Sequence, residues 1–465
     1  MTSHWRDCAE WQRQGLKLST TSNQAAKIYD AVLSQRVSMY DDPSVGGMEQ
    51  SLKTLQAADP QFVMGQVMSV GMSLFSTSDT IDNNPELRDK VNALVVHADK
   101  SDITPREQKH VDAINLYADG KLHEATVKWE EIVAEYPTDL HAIKQVHGST
   151  FVVGRPQIIR NVVNSALPSW TTDMKHYSFL KGILAFGFAE TSLFPQANKT
   201  AKEGLAVDQD EVWCRHSLCH LHDNTGQWDY GIDALQTTEA HWMKCTSFNC
   251  HLLWHQALFY MEKADYDKVL EIYDNHIEKT LKDSHSMLAK RDATSLLYRL
   301  EMEGVKIGDR WEDVYEICRP NIDDHCFVFN DTHMLMSCLG AKKPDVAKKM
   351  VNSLRNWARD KSGYYYQTCM KTGLPICEAF VAAADGDFAT AVDLIHPVRY
   401  DIINIGGSNA QRDVFNLFLI NAAINSSKPE HQHLAKSLIH ERRALKEDTP
   451  LTDRLMSRLM AQHTQ

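Results

Sequence analysis

Four histidines fall into two pairs at helical spacing, His216 with His220 and His251 with His255. An i, i+4 pair presents both imidazoles on one face of a helix. Imidazole is also the side chain whose charge changes near neutral pH. A face of this kind suits acid–base chemistry or the gripping of a ligand. The run His216-Ser217-Leu218-Cys219-His220 has a chelating spacing too, but it lacks the glutamate of the zinc-protease helix motif. No metal and no other cofactor is therefore assigned. The same stretches carry Trp213 and Trp254, so core packing also accounts for the pairs.

Two further clusters offer polar groups. In Phe329-Asn330-Asp331-Thr332-His333, Asn330 or Asp331 is expected to cap a helix. Asp331 and His333 would suit proton transfer if they met the other histidines. In Gly406-Gly407-Ser408-Asn409-Ala410-Gln411-Arg412-Asp413, Ser408 or Asn409 is expected to start a helix. Its N–H groups together with Arg412 would seat a carboxylate or phosphate. The run lacks the Gly-Lys-Ser/Thr ending of a phosphate-binding loop, and Arg412-Asp413 reads equally as a local ion pair. The catalytic candidates are thus His216, His220, His251, His255, Asp331 and His333. The ligand-contacting candidates are His216, His220, His251, His255, Asn330 and Arg412. His147 and Asp292 stand further off and read first as satisfied core groups.

Composition narrows the class. The chain of 465 residues has a formal net charge of -12, which disfavours nucleic acid as a partner. Basic doublets such as Lys342-Lys343 and Arg442-Arg443 read as solvated helix faces. Ten cysteines without a Cys-x-x-Cys are too dilute for a disulfide framework and point to reduced thiols in a cytoplasmic protein. No apolar run long enough to cross a membrane occurs, and Met1 to Asp7 lacks the apolar core of a leader.

The elements that must position these residues are helical almost throughout. Thr20-Thr21-Ser22-Asn23 supplies caps for a helix through Tyr29 and Leu33, and Asp59-Pro60 introduces one burying Phe62, Met64, Val67 and Met72. Thr104-Pro105-Arg106-Glu107 has the form of a capping box with proline at the first helical position. From there a plan recurs: a helix, a tight turn, then an aromatic or leucine with a small or apolar residue three later. Its instances are Leu122/Ala125, Phe194/Ala197, Trp228/Gly231, Tyr266/Val269 and Phe388/Ala391. The first three intervals are 72, 34 and 38 residues, which fit a repeat of roughly 34 residues.

Ala113-x3-Tyr117-x2-Gly120-Lys121-Leu122-x2-Ala125, closed by Tyr136-Pro137, resembles a tetratricopeptide repeat, and Asp385-Gly386-Asp387-Phe388 resembles its inter-helix turn. Longer words extend the likeness over the whole chain to the tetratricopeptide repeat protein 38 family. They include Ala57-Ala58-Asp59-Pro60-x-Phe62-Val63-Met64-Gly65, Leu297-Tyr298-Arg299-Leu300-x-Met302-Glu303-Gly304-Val305 and Gly406 to Asn416. The resemblance implies an all-α superhelix of antiparallel helix pairs, an α-solenoid, and no particular activity. With the repeat aromatics as a ruler, His216 and His220 lie 12 and 8 residues before Trp228, and His251 and His255 lie 15 and 11 before Tyr266. At ~100° per residue the four share an arc of ~100° on first helices, the face that in the resembled repeats lines the concave groove. The expected organisation is an N-terminal cap over 1–103, a repeat array over 104–405 and a C-terminal cap over 406–465, as one continuous unit. The expected function is binding of a peptide or protein segment, or a small anionic molecule, in the groove. The alternative is an enzyme or small-molecule receptor in which His216, His220, His251, His255 and His333 converge, with Arg412 at hand for an anionic group.

Overall fold

The computed structural model describes residues 4–75, 80–446 and 449–463, so Met1 to Ser3 of the stretch read above for a leader lie outside it. Among the described residues there is no β-strand, and no helix is long and apolar enough to cross a membrane. The described cysteines are unbridged, and all but Cys8 are buried.

Each marker of the repeat opens a second helix. Leu122–Glu135, Phe194–Val207, Trp228–Thr237, Tyr266–Ile272 and Phe388–Ile395 begin on the aromatic or leucine of the pattern. The residue three further on is buried in every one: Ala125, Ala197, Gly231, Val269 and Ala391. The same plan continues where proline replaces the aromatic. Pro344–Ala358 and Pro156–Ala166 open on proline, which suits the first helical position. Ala347 and Ile159 take the buried place in these two helices. Thr104 and Ser22 cap their helices as expected, the former in a full capping box with Glu107. After Asp59-Pro60 the helix begins only at Val63, and Met72 on it is half-buried.

Compactness separates two units, Met1–Ser217 with Ala240–Asn249 and Leu218–Glu239 with Cys250–Gln465. The first unit packs Trp11, Tyr29, Phe62 and Trp129 at its core. A buried polar network joins its helices: Arg106 Nη1 donates to Asp139 Oδ2 at 2.6 Å, His110 Nε2 lies 3.1 Å from the same oxygen, and Tyr29 Oη lies 2.7 Å from His141 Nδ1. Asp139 also caps the Leu140–Val152 helix, so one carboxylate fixes both a helix start and two neighbours.

In the second unit, first helices Met287–Met302, Val328–Gly340, Leu374–Ala384 and Asn409–Asn425 form a packed series. The last helix, Pro450–His463, closes two first-helix ends with arginine. Arg454 donates to the carbonyls of Met261 and Glu262, each at 2.9 Å, and Arg458 donates to that of Met302. Cations placed there satisfy carbonyls left over at a helix C-terminus and oppose its partial negative charge. Both arginines also pair with Glu303, at 2.6 and 3.0 Å.

Close approach of helices sets this packing. A Cβ on Gly340 would stand 2.3 Å from the Trp311 ring, and one on Gly231 would stand 2.4 Å from that of Phe259. Gly340→Ala is therefore expected to lower stability by about 1–3 kcal/mol, the usual range for overpacking. Urea denaturation reads this as a lower midpoint; an unchanged midpoint would refute the packing argument.

Candidate functional site

The structure brings His220, His251 and His255 together. In the second unit the rings of His220 and His255 lie 4.7 Å apart, centre to centre, and those of His251 and His255 lie 4.9 Å apart. His251 lies parallel to the indole of Trp254 at 5.2 Å. Its Nδ1 is 2.9 Å from Asp292 Oδ2, so the carboxylate orients the ring and favours the Nδ1–H tautomer. Asp292, read from the sequence as a distant core group, is thus the acid of the cluster. Neither Asp223 nor Asp331 takes that place: Asp223 pairs with Lys446 at 2.8 Å and Asp331 with His325 at 2.8 Å. The rings are deeply buried, His220 and His255 at 0% exposure and His251 at 4%. Burial, then the nearby charges of His220, His251 and Arg299, holds His255 well below the usual imidazole range. At neutral pH it is an uncharged packing group. His216 belongs to the first unit, where it stacks on Phe186 at 5.5 Å and meets the edge of Phe248 at 5.1 Å. His147 lies in that unit as well, edge-on to Trp213 at 4.7 Å.

The Asn330–His333 cluster behaves differently from its sequence reading. The helix begins at Val328 with Phe327 at the cap and no side-chain cap bond. Asn330 and Asp331 therefore sit inside its first turn, where a side chain can reach a neighbouring element. Asn330 Oδ1 accepts from Arg291 Nη1 at 3.4 Å, and Asp331 accepts from His325. Burial pushes Asp331 up, an effect reduced by His325. His333 donates from Nδ1 to the Phe329 carbonyl at 2.6 Å and packs on the rings of Phe329 and Phe415. Burial pushes it down to about 3, so it has no proton to give near neutral pH.

Arg412 is engaged by its own loop. It donates to the carbonyl of Gly407 and, at 2.7 Å, to Asn409 Oδ1. Ser408 caps the Asn409–Asn425 helix in a box with Gln411, so the expected anion seat is filled by internal bonds. Asp413 takes a two-pronged bond from Arg442, at 2.5 and 2.9 Å, which holds its carboxyl well below the usual range despite burial. Arg442, read from the sequence as part of a solvated face, is 7% exposed, and Glu262 lies 3.8 Å from it. These groups, with Asp223 and Arg299, border a cavity of about 20 Å³, room for a single water molecule.

A larger space escaped the motif reading. A pocket of about 550 Å³ opens in the second unit beside Tyr298, Met302, Leu339, Phe388, Phe418 and Arg458. It lies at the C-terminal ends of Met287–Met302, Val328–Gly340, Leu374–Ala384 and Asn409–Asn425, with the last helix on its rim. The parallel stack of Phe380 and Phe418 at 4.1 Å, with Tyr298 edge-on to Phe380 at 5.1 Å, stiffens the wall. Ala383, Ala384 and Ala422 leave the room. No single sequence motif marks such a place, because its wall is assembled from the C-terminal parts of four separate helices together with Phe388 and Arg458.

No protein-family model matches the chain. Among solved structures, the chain is similar to a monomeric IFIT1 mutant with Gppp-AAAA, at 13% identity and a TM-score of 0.41 over 96% of each chain. Nothing about a ligand for this chain follows from a likeness at that level.

An imidazole held low in the folded state binds fewer protons than in the unfolded chain, so its contribution is lost as pH falls below the unfolded value of about 6.5. Melting temperature measured from pH 7.5 to 5 is expected to fall, and His255→Phe is expected to flatten that slope; an equal slope would contradict the buried neutral state. Asp413 is depressed as well, and the same sign holds at a lower pH. A depressed carboxyl stabilises above its unfolded value of about 3.9 and loses that contribution as pH falls below it. At neutral pH, Asp413→Ala leaves the Arg442 charge buried without its partner and is expected to cost about 3–5 kcal/mol in chemical denaturation. A loss below about 1 kcal/mol would show that the pair is solvated.

Proposed function

We propose that this chain is a ligand-binding helical-repeat protein of the tetratricopeptide repeat protein 38 family, acting in the cytoplasm. In this reading it holds an extended peptide segment by one bulky apolar side chain, inserted into the pocket beside Tyr298, Phe388 and Phe418. The observation that carries the reading is the pocket itself. Its volume of about 550 Å³ lies within the ordinary range of ligand sites, and its walls are largely aromatic and aliphatic. Polar groups stand at its edge, where Asn421 and Gln462 can orient a backbone. A peptide anchor of this kind gains most of its affinity from one desolvated aromatic or aliphatic group.

The histidines have a different part in this account. His220, His251 and His255 are closed into the interior and keep neighbouring helices in register, while Asp292 supplies the acceptor that fixes His251. Arg412 holds the Gly406-Gly407 turn rather than an anion. We keep the organisation of caps over 1–103 and 406–465 around a repeat array over 104–405 as part of the same proposal.

Filling the pocket tests it. Ala383 is half-buried on the wall, and Ala383→Trp adds bulk there without touching a buried ion pair. Peptides selected on an array by the wild-type chain are expected to bind the variant at least ~10-fold more weakly, the loss of one apolar anchor, with an unchanged melting temperature. Equal binding by a folded variant would place the ligand elsewhere.

A further inference from the structure

The second unit contains a serine–histidine–aspartate relay that spacing in the sequence does not disclose. His325 precedes the Val328–Gly340 helix with φ of 48°, a left-handed conformation uncommon outside glycine. That turn of the backbone sets its ring between two other elements. Nδ1 is 2.8 Å from Asp331 Oδ1 in the first turn of the same helix, and Nε2 is 3.0 Å from Ser353 Oγ on Pro344–Ala358. Carboxylate on Nδ1 and hydroxyl on Nε2 is the assignment that a base needs in order to take a serine proton.

Access and charge are distributed to match. His325 and Asp331 are each 3% exposed, whereas Ser353 is half-buried and open to solvent. Asp331 Oδ2 is buried with no hydrogen bond, which leaves His325 as the group its carboxylate serves. The carboxylate of Asp323 lies 3.8 Å from Nε2 and adds a second negative charge beside the ring. One helical turn beyond Ser353, the Trp357 ring stands 5.9 Å from that of His325, and its Nε1–H is buried with no acceptor. It is a donor in want of an oxygen.

We propose that Ser353 is an acyl-accepting nucleophile activated by His325 and oriented through Asp331, acting on activated esters or thioesters. Ser353 Oγ bonds to the acyl carbon as its proton passes to His325 Nε2. The bond to the leaving alkoxide or thiolate then breaks, and that group departs with the proton from Nε2. Water next attacks the acyl-serine, giving a proton to Nε2. The carboxylic acid leaves as Nε2 returns the proton to Ser353 Oγ. Nothing but substrate and water is consumed.

The test uses the full chain with a fluorophosphonate probe and 4-nitrophenyl acetate, and peptide mass spectrometry locates the adduct. The account expects covalent labelling at Ser353, and a burst of 4-nitrophenol equal to one acetyl group per chain. Ser353→Ala is expected to abolish both, and Asp331→Asn to slow labelling on the order of 100-fold, the usual contribution of a positioned base. Should Asp331→Asn fail to fold, Ser353→Ala and Ser353→Cys decide the matter, since this half-buried position tolerates a small side chain. With Ser353→Cys the adduct is expected on the thiol when an acyl thioester is offered. An unlabelled Ser353 in folded wild-type protein, or equal labelling of Ser353→Ala, would overturn the proposal. The pocket at Phe418 and this relay share no residue, so failure of either leaves the other standing.

Discussion

The fold depends on how closely one helix can approach the next. A small residue at the fourth place of a second helix, or at the end of a first one, lets a neighbouring ring settle against the backbone. Gly231 receives Phe259 and Gly340 receives Trp311, each at a distance that leaves no room for a methyl group. Alanine holds the same place in the helix at 125, 197, 347 and 391, and each is buried. Because the approach recurs, the first helices of the second unit run as neighbours and end together. Their ends are where carbonyls lack partners. Side chains must answer them, and the space between the answers is the pocket.

Polar groups divide into those that hold this arrangement and those that remain open to act. Arg454 and Arg458 satisfy helix ends, Arg442 is locked to Asp413, and Arg412 holds its loop. His255 and His333 are kept neutral by burial, which suits packing beside rings and removes them from proton transfer near neutral pH. A buried ion pair stabilises little against an apolar pair of equal shape, but losing one partner is costly. The relay from Asp331 through His325 to Ser353 differs in kind, since it runs from the interior to a hydroxyl that solvent reaches.

Much of the architecture could be read from the chain. Leu122, Phe194, Trp228, Tyr266 and Phe388 begin second helices because an aromatic or leucine after a tight turn has one place to pack. Pro344 and Pro156 were invisible to that pattern, although proline at the first helical position does the same work. The site was less legible. Helical spacing put His216, His220, His251 and His255 on one face, but it could not supply Asp292, which lies 41 residues from His251. Arg412 looked available because its acceptors are backbone carbonyls, and these carry no signature in the sequence. Asp413 looked local until Arg442, 29 residues on, was brought to it by helix packing. His325 drew no attention, since its partners depend on one left-handed residue.

The central claim is that ligand enters between the first-helix ends while the histidine cluster serves the interior. A crystallographic soak of the full chain with a panel of small aromatic and aliphatic fragments tests it most directly. The account predicts bound fragments against Tyr298, Phe388 and Phe418, with the rings of His220, His251 and His255 unmoved. Fragments seated among those histidines, with the pocket at Phe418 empty, would contradict it.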